Sequence, residues 1–422
     1  MLRTVALVWE RASRMPDPER PPPKLVLLLM VRDEEDGVER PIRSAAPYVD
    51  ALYLVDTGSK DQTAQRAQAL CEELGIAFWF LQMAWPDSFG QARSMCLGWA
   101  ARKHPGRTVL FLDADDEVSG TLTLSDAPLH NVEMRMGAIV WTQPRVIHLM
   151  DPPRYEGSVH EHLVAGGRAV GTSGLAVRHH SGKPSRPRWV RDKDLLAREI
   201  GELDARATQV PSASALRARF YLAQTHECLD ELQEAAHQYR AFVTLAQTGP
   251  YVVVALLRLA LLLERAPEVD LRLSDREAHV LALRLRAHAL DPSRPEPLVD
   301  AAWAALRARK WAEAYLFARA GEACVPKEDA LFLRKAARRN ETTAILSQVC
   351  FHLDGRLDEG LEVSRVAAQN PHAWGSPWPQ ANVTLYRTHL NQQRAARGET
   401  PLPPFPEESG AEGEAGAITP AG

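Results

Sequence analysis

A chain of 422 residues with 45% hydrophobic and 25% charged residues is too long for one ordinary core and too apolar for a disordered polymer, so two or three folded domains are expected. Its formal net charge of -4 gives no global basic field, which removes the electrostatic ground for sequence-wide nucleic-acid binding. Five widely spaced cysteines without CxxC or CxxH spacing argue against a disulfide framework or a zinc knuckle and point to a reducing, cytoplasmic compartment.

Residues 1–23 contain Pro16, Pro18, Pro21, Pro22 and Pro23 among charges, the composition of a flexible lead-in. The apolar patch from Val5 to Trp9 is too short and too interrupted for a signal peptide. Folding is expected from residue 24. Strand-length apolar runs at 25–31, 51–55, 76–81, 108–112 and 137–142 alternate with helix-length segments. Such alternation predicts an α/β domain whose mostly parallel sheet is covered on both faces, with ligands bound at the carboxyl ends of its strands. No apolar run approaches the roughly 20 residues that span a bilayer, so no integral membrane segment is expected.

Residues 143–190 are rich in Pro, Gly, His and Arg and are expected to finish this domain, 24–190, with short strands such as 168–177. From about Trp189 strand signals give way to helical stripes. Leu232, Ala235, Ala236, Tyr239, Phe242, Val243 and Ala246 recur at three- and four-residue steps, which predicts an all-α half over 191–396. Helix pairs are expected at 213–247, 277–323 and 341–369, with 261–276 lacking a clear pattern. Residues 397–422, composed of Pro, Gly, Glu and Ala with few bulky side chains, are expected to be disordered.

Acidic residues close several of the predicted strands. Asp113-Ala114-Asp115 follows the run 108–112, so alternation turns both carboxylates the same way at a strand end. Hard oxygen ligands in that position suit Mn²⁺ or Mg²⁺ bound to a diphosphate. Asp116 follows directly. Asp56-Thr57-Gly58-Ser59-Lys60-Asp61-Gln62-Thr63 closes the second run; Ser59 or Asp61 would cap the following helix while Asp56 stays available to a base N–H. Val31-Arg32-Asp33-Glu34-Glu35 closes the first, and Phe89-Gly90-Gln91-Ala92-Arg93 places Arg93 on a predicted helix after Trp85 and Phe89. Glu34 and Glu35 equally suit an exposed helix start; Trp85 and Phe89 suit packing.

In this order the four segments resemble the family 2 glycosyltransferases of the GT-A fold over residues 24–185. The resemblance implies that Asp56 reads a uracil-type edge, that Glu35, Arg93 and Asp113 contact the nucleotide sugar, and that Asp115 holds the metal. Asp33 and Ser94 stand where that family commonly has Asn. His160-Glu161-His162 resembles the His-Glu of repeat-bearing members, which makes Glu161 the expected base with Asp116 as competitor. His179-His180-Ser181-Gly182 resembles the H-x-G segment that closes over the diphosphate, with His180 as a further metal ligand. Arg178, Lys183, Arg186, Arg188 and Arg191 nearby would hold diphosphate or form a solvated linker. Residues around Tyr221-Leu222-Ala223 and 234–239 resemble a tetratricopeptide repeat (TPR).

Two function classes follow. The first is a metal-dependent, inverting transfer of a sugar from a nucleoside-diphosphate sugar, UDP-sugar favoured, to a protein or glycan acceptor. The alternative is an inactive scaffold that binds protein partners through its helical repeats. A nucleotidyltransferase would show a Gly-rich loop after the first strand, and Leu29-Met30-Val31-Arg32-Asp33 offers none.

Overall fold

The computed structural model describes residues 12–13, 25–137, 139–180, 185–206, 211–266, 268–269, 275–325, 340–369 and 378–403. The expectations for the rest of the lead-in, for 181–184 and for 404–422 lie outside the described residues. The chain divides into two compact units, Met1–Glu231 and Leu232–Gly422.

The first unit is built on a nine-stranded sheet ordered β1-β4-β3-β2-β5-β8-β7-β11-β6. Four adjacent parallel strands are β2 (Leu25–Val31), β3 (Val49–Asp56), β4 (Ala77–Gln82) and β5 (Thr108–Leu112), close to the first four predicted runs. The sheet is parallel-rich but mixed. The fifth run, expected at 137–142, falls instead on the turn and start of an antiparallel pair, β7 (Leu129–Met136) and β8 (Ile139–His148), with Gly137 at φ +57° between them. Strand β8 is the one beside β5. The pair is followed by β11 (Val170–His179) and β6 (Asp116–Gly120). Within the proline-rich lead-in, β1 (Ala12–Ser13) adds an antiparallel bridge to β4.

Strand β2 is apolar throughout because both its faces are covered. Leu25, Leu27, Leu29 and Val31 pack with Ile42 of α1 (Glu39–Ala45) and with Ala67, Leu70 and Cys71 of α2 (Thr63–Leu74). Val26 and Leu28 face the other way, onto Ala92, Cys96, Leu97 and Ala100 of α3 (Phe89–Lys103). Each completely buried leucine contributes about 2 kcal/mol by leaving water.

A small hairpin, β9 (Arg154–Glu156) with β10 (His162–Val164), packs beside α3. The segment between its strands is held by two helices, α4 (Arg186–Arg206) and α5 (Ala213–Cys228). Glu199 of α4 accepts hydrogen bonds from the Ser158 amide at 2.8 Å and from its hydroxyl. From α5, Ser214 donates to Glu156 at 2.8 Å, and Tyr221 stacks on His160 at 4.0 Å. A boundary expected near residue 190 is therefore followed by two helices that belong to the first unit.

The second unit contains α6 (Leu232–Ala246), α7 (Pro250–Arg265), α8 (Arg276–Leu290), α9 (Glu296–Arg307), α10 (Trp311–Ala323), α11 (Thr342–Val349), α12 (Leu357–Ala368) and α13 (Trp378–Ala396). Its helical region is TPR-like, with small residues such as Ala302, Ala305, Ala314 and Ala318 where helices meet. Region 277–323 holds three helices rather than one pair. The pattern missed at 261–276 hides the end of α7, whose Val252, Val253, Val254, Leu256, Leu259, Leu262 and Leu263 are all buried while Leu261 is exposed. Apolar residues on nearly every side leave no stripe to read. Past α13, disorder from Arg397 onward is corrected up to residue 403: the Leu402 amide donates to Asn391 at 2.8 Å and Arg394 to the Thr400 carbonyl at 2.6 Å.

Candidate functional site

The carboxyl ends of β2, β3 and β5 lie side by side, with Val31 opposite Asp56 and Leu29 opposite Leu112. Their loops interlock. The Asp33 amide donates to Ser59 at 2.9 Å, and Asp33 Oδ1 accepts from the Lys60 amide at 2.7 Å. Asp33 sits at φ +52°, a left-handed conformation that Asn and Asp tolerate, so aspartate can occupy a position where the resembled family has Asn. Asp61 accepts the Thr63 amide at 3.0 Å with Oδ1 and the Glu35 amide at 3.0 Å with Oδ2; Glu35 in turn accepts from Gln62 at 3.1 Å. Glu35 thus completes the N-terminus of α2. Asp56 is buried, and its Oδ1 accepts the amides of Gly58 and Ser59, both at 2.7 Å.

Asp113 is clamped. Its Oδ1 accepts from Arg93 Nη2 at 2.6 Å and its Oδ2 from Arg145 Nη2 at 3.0 Å. Burial alone would raise its pKa, but the two guanidiniums win and hold it well below the usual carboxylate range. Arg93 also binds Glu161 Oε1 through Nε at 2.5 Å and lies over the Phe111 ring at 4.9 Å. It therefore joins α3, β5 and the loop of Glu161. Arg145, on β8, has no neighbour in sequence that marks it. Only the antiparallel return of β8 beside β5 brings it to Asp113.

A second cluster lies a few residues further on. Asp116 is fully buried; Oδ2 accepts the Asp113 amide at 2.9 Å, and Oδ1 lies 2.9 Å from His179 Nδ1. His179 and Asp116 are cross-strand partners of β11 and β6. Half-buried Asp115 approaches the same imidazole at 3.5 Å. One ligand atom from each of Asp115, Asp116 and His179 lies within 4.8 Å of the others. The expected ligand His180 lies outside this cluster, its Nε2 meeting Glu117 Oε2 at 2.9 Å. Its contribution is through the backbone: the His180 amide donates to the Asp115 carbonyl at 2.8 Å, which ties the end of β11 to the loop after β5.

Glu34 feels the acidic group. Its carboxyl is pushed up by burial and then by Asp115, Asp61, Asp33 and Asp113. Asp115 is likewise raised, first by burial, with His179 opposing and Asp113 and Asp116 reinforcing. His179 is raised in turn by its hydrogen bond to Asp116.

Two carboxylates, of Asp115 and Asp116, with the His179 imidazole beside them offer the hard oxygen and nitrogen donors that suit a divalent cation such as Mn²⁺ or Mg²⁺. Among the expected site residues, the structure brings Arg93, Asp113 and Glu161 into one ion-paired chain, and Asp115 and Asp116 into the cluster with His179. Asp56 and Glu35 sit in the interlocked loops. Sequence reasoning missed Arg145 and named His180, whereas the cluster holds its neighbour His179. The signal it lacked was the pairing of β6 with β11.

No family model matches the chain. A TPR repeat-containing protein of Synechococcus elongatus is 36% identical to it over 92 residues, which is 22% of this chain and 20% of that protein. The chain thus matches about a fifth of that relative's length. Among solved structures, a tetratricopeptide repeat protein from Parabacteroides merdae is similar at 13% identity, covering 50% of this chain and 71% of that one, with a TM-score of 0.35. BtubC from P. vanneervenii is similar at 12% identity, covering 56% and 82%, with a TM-score of 0.30. Among the described residues no helix is long and apolar enough to cross a membrane.

Proposed function

We propose that the first unit is a metal-dependent glycosyltransferase of GT-A type, taking a nucleoside-diphosphate sugar, UDP-sugar favoured, as donor and a protein or glycan as acceptor. The observation that carries the reading is the Asp115, Asp116 and His179 cluster beside the strand ends of a parallel-rich sheet. Those three residues would hold Mn²⁺ or Mg²⁺, which when bound would neutralise charge on the leaving diphosphate. Asp113, with both oxygens taken by arginines, keeps its charge and orients the loop that carries Asp115. Asp56, buried at the end of β3, would receive the base edge of the donor. Glu161 is the general base of this reading: Arg93 fixes one oxygen, and the other is left to take the acceptor proton. Asp116, the competing base, is read instead as a ligand, because one of its oxygens faces His179 within the cluster.

The test is thermal unfolding with Mn²⁺ and UDP-, GDP- or dTDP-sugars, in the native chain and in Asp115→Ala. A metal-dependent rise with one donor, absent in the variant, is expected. No rise with any donor, or the same rise in the variant, would overturn the site.

A second reading is a scaffold that binds proteins through the TPR-like helices. The match to a TPR repeat-containing protein bears on this reading and not on sugar transfer. It predicts partner binding that Asp115→Ala leaves intact, in a protein without a donor response.

A further inference from the structure

The loop that carries Glu161 leaves the ordinary backbone range one residue earlier. His160 sits at φ +52°, a left-handed conformation that is uncommon for a residue with a Cβ and persists where its surroundings hold it. The turn is also tight. Gly157, at φ +105°, lies so close that a Cβ on it would be 3.2 Å from Glu161 Cα.

What holds His160 in this conformation comes from α5, within the same unit. Arg217 Nη2 donates to the His160 carbonyl at 3.0 Å. The Tyr221 ring stacks on the imidazole with centroids 4.0 Å apart and planes 14° from parallel, and the Arg217 guanidinium lies 4.9 Å from the centre of the Tyr221 ring. Ser214 adds its bond to Glu156 at 2.8 Å. Ser214, Arg217 and Tyr221 follow one another at three- and four-residue steps, so a single face of α5 runs along the loop. Helix α4 grips the loop earlier, at Ser158. The His160 carbonyl, by contrast, belongs to the peptide unit that leads directly into Glu161, so fixing it fixes the direction from which Glu161 meets Arg93 at 2.5 Å.

We propose that Arg217 and Tyr221 are positioning residues for Glu161: they hold His160 left-handed, so that the next side chain keeps one oxygen on Arg93 and presents the other to the acceptor. The proposal rests on the sugar-transfer reading. It puts the helix whose Tyr221-Leu222-Ala223 resembles a repeat in the service of the site. With water in the acceptor's place, Glu161 removes one proton from the water as the water oxygen bonds to the anomeric carbon. The bond from that carbon to the diphosphate oxygen breaks, and its electron pair leaves with the diphosphate. A displaced carboxylate slows this step and leaves donor binding as it was.

The experiment is nucleoside-diphosphate release from UDP-glucose, UDP-N-acetylglucosamine or GDP-mannose with Mn²⁺ by the full chain, with thermal shifts read on the same samples. Tyr221→Ala and Arg217→Met should each lower kcat about tenfold or more, while KM for the donor and the Mn²⁺-dependent shift stay native. Tyr221→Phe keeps the ring and should recover most of the rate. His160→Gly, free to hold a positive φ, should lose less than His160→Ala. Tyr221 is buried and Arg217 only half-buried, so Arg217→Met serves if Tyr221→Ala does not fold. Native kcat in a folded Tyr221→Ala or Arg217→Met, a loss carried by KM, or equal losses in the two Tyr221 variants or in the two His160 variants would overturn the proposal. A donor shift without release by the native chain removes Glu161 as base, and the proposal with it, while the metal site stands; neither shift nor release removes the transfer reading itself.

Discussion

The two histidines offered for the proposed metal site differ by one position in sequence. His179, the last residue of β11, and His180 just after it meet different carboxylates, and His179 reaches Asp116 because β6 pairs with β11 in that register. Strand β6 reads Asp-Glu-Val-Ser-Gly, too short and polar to be foreseen as a strand, so the choice between the histidines was not legible. Asp115 was, because it follows a plainly apolar run, whereas the sequence offers Asp116 as a competing base and not as a partner of His179. His179 also gives the site a pH dependence with a definite sign. Its folded pKa is raised, so the proton it shares with Asp116 stabilises the fold fully below about pH 6.5, and that contribution is lost as pH rises through the raised value. A metal ion competes for the same nitrogen. The Mn²⁺-dependent gain in unfolding temperature should therefore be small at about pH 6 and larger at about pH 8, and His179→Ala should remove most of it while His180→Ala should not. A gain that is constant with pH, or lost in His180→Ala rather than His179→Ala, would refute the assignment.

At the scale of elements, the approach of α3 to the β9–β10 hairpin sets the distance between Arg93 and Glu161. Gly90 makes that approach possible. Its amide donates to the Gly157 carbonyl at 2.9 Å, and a Cβ on Gly90 would lie 2.6 Å from the same oxygen. Neither partner is a flexible side chain that could yield. Gly90→Ala should therefore cost about 2 kcal/mol or more in denaturant unfolding of the first unit, and an unchanged midpoint would show that α3 does not need this contact. The helix itself was legible around Arg93, and Ser88 caps it by accepting the Gln91 amide at 3.2 Å. Its partner was not, because β9 and β10 have three residues each and are defined by pairing rather than by pattern. In the helical unit, TPR-like spacing was visible where one face is apolar, as in α6, and invisible in α7, where apolar residues run almost all the way round.

For the whole molecule, the division into two units matters because each has its own core. Leu27, Leu52 and Leu110 belong to the sheet core of the first, whereas Val299, Ile345 and Leu346 belong to the helical core of the second. A ligand that binds only a folded first unit stabilises it by mass action, about 2.7 kcal/mol at a hundredfold excess over Kd. For a unit of this size that corresponds to a rise of about 5–10 °C in its unfolding temperature. Calorimetry of the full chain should then resolve two transitions, of which Mn²⁺ with the matching nucleotide sugar moves one. The scaffold reading makes the opposite demand: a partner seated on the TPR-like helices should raise the other transition, with Mn²⁺ and nucleotide sugars moving neither. Because the two ligands would act on different cores, the same measurement separates the readings whatever the acceptor is, and a single transition that moves as one under either ligand would contradict the independence of the units.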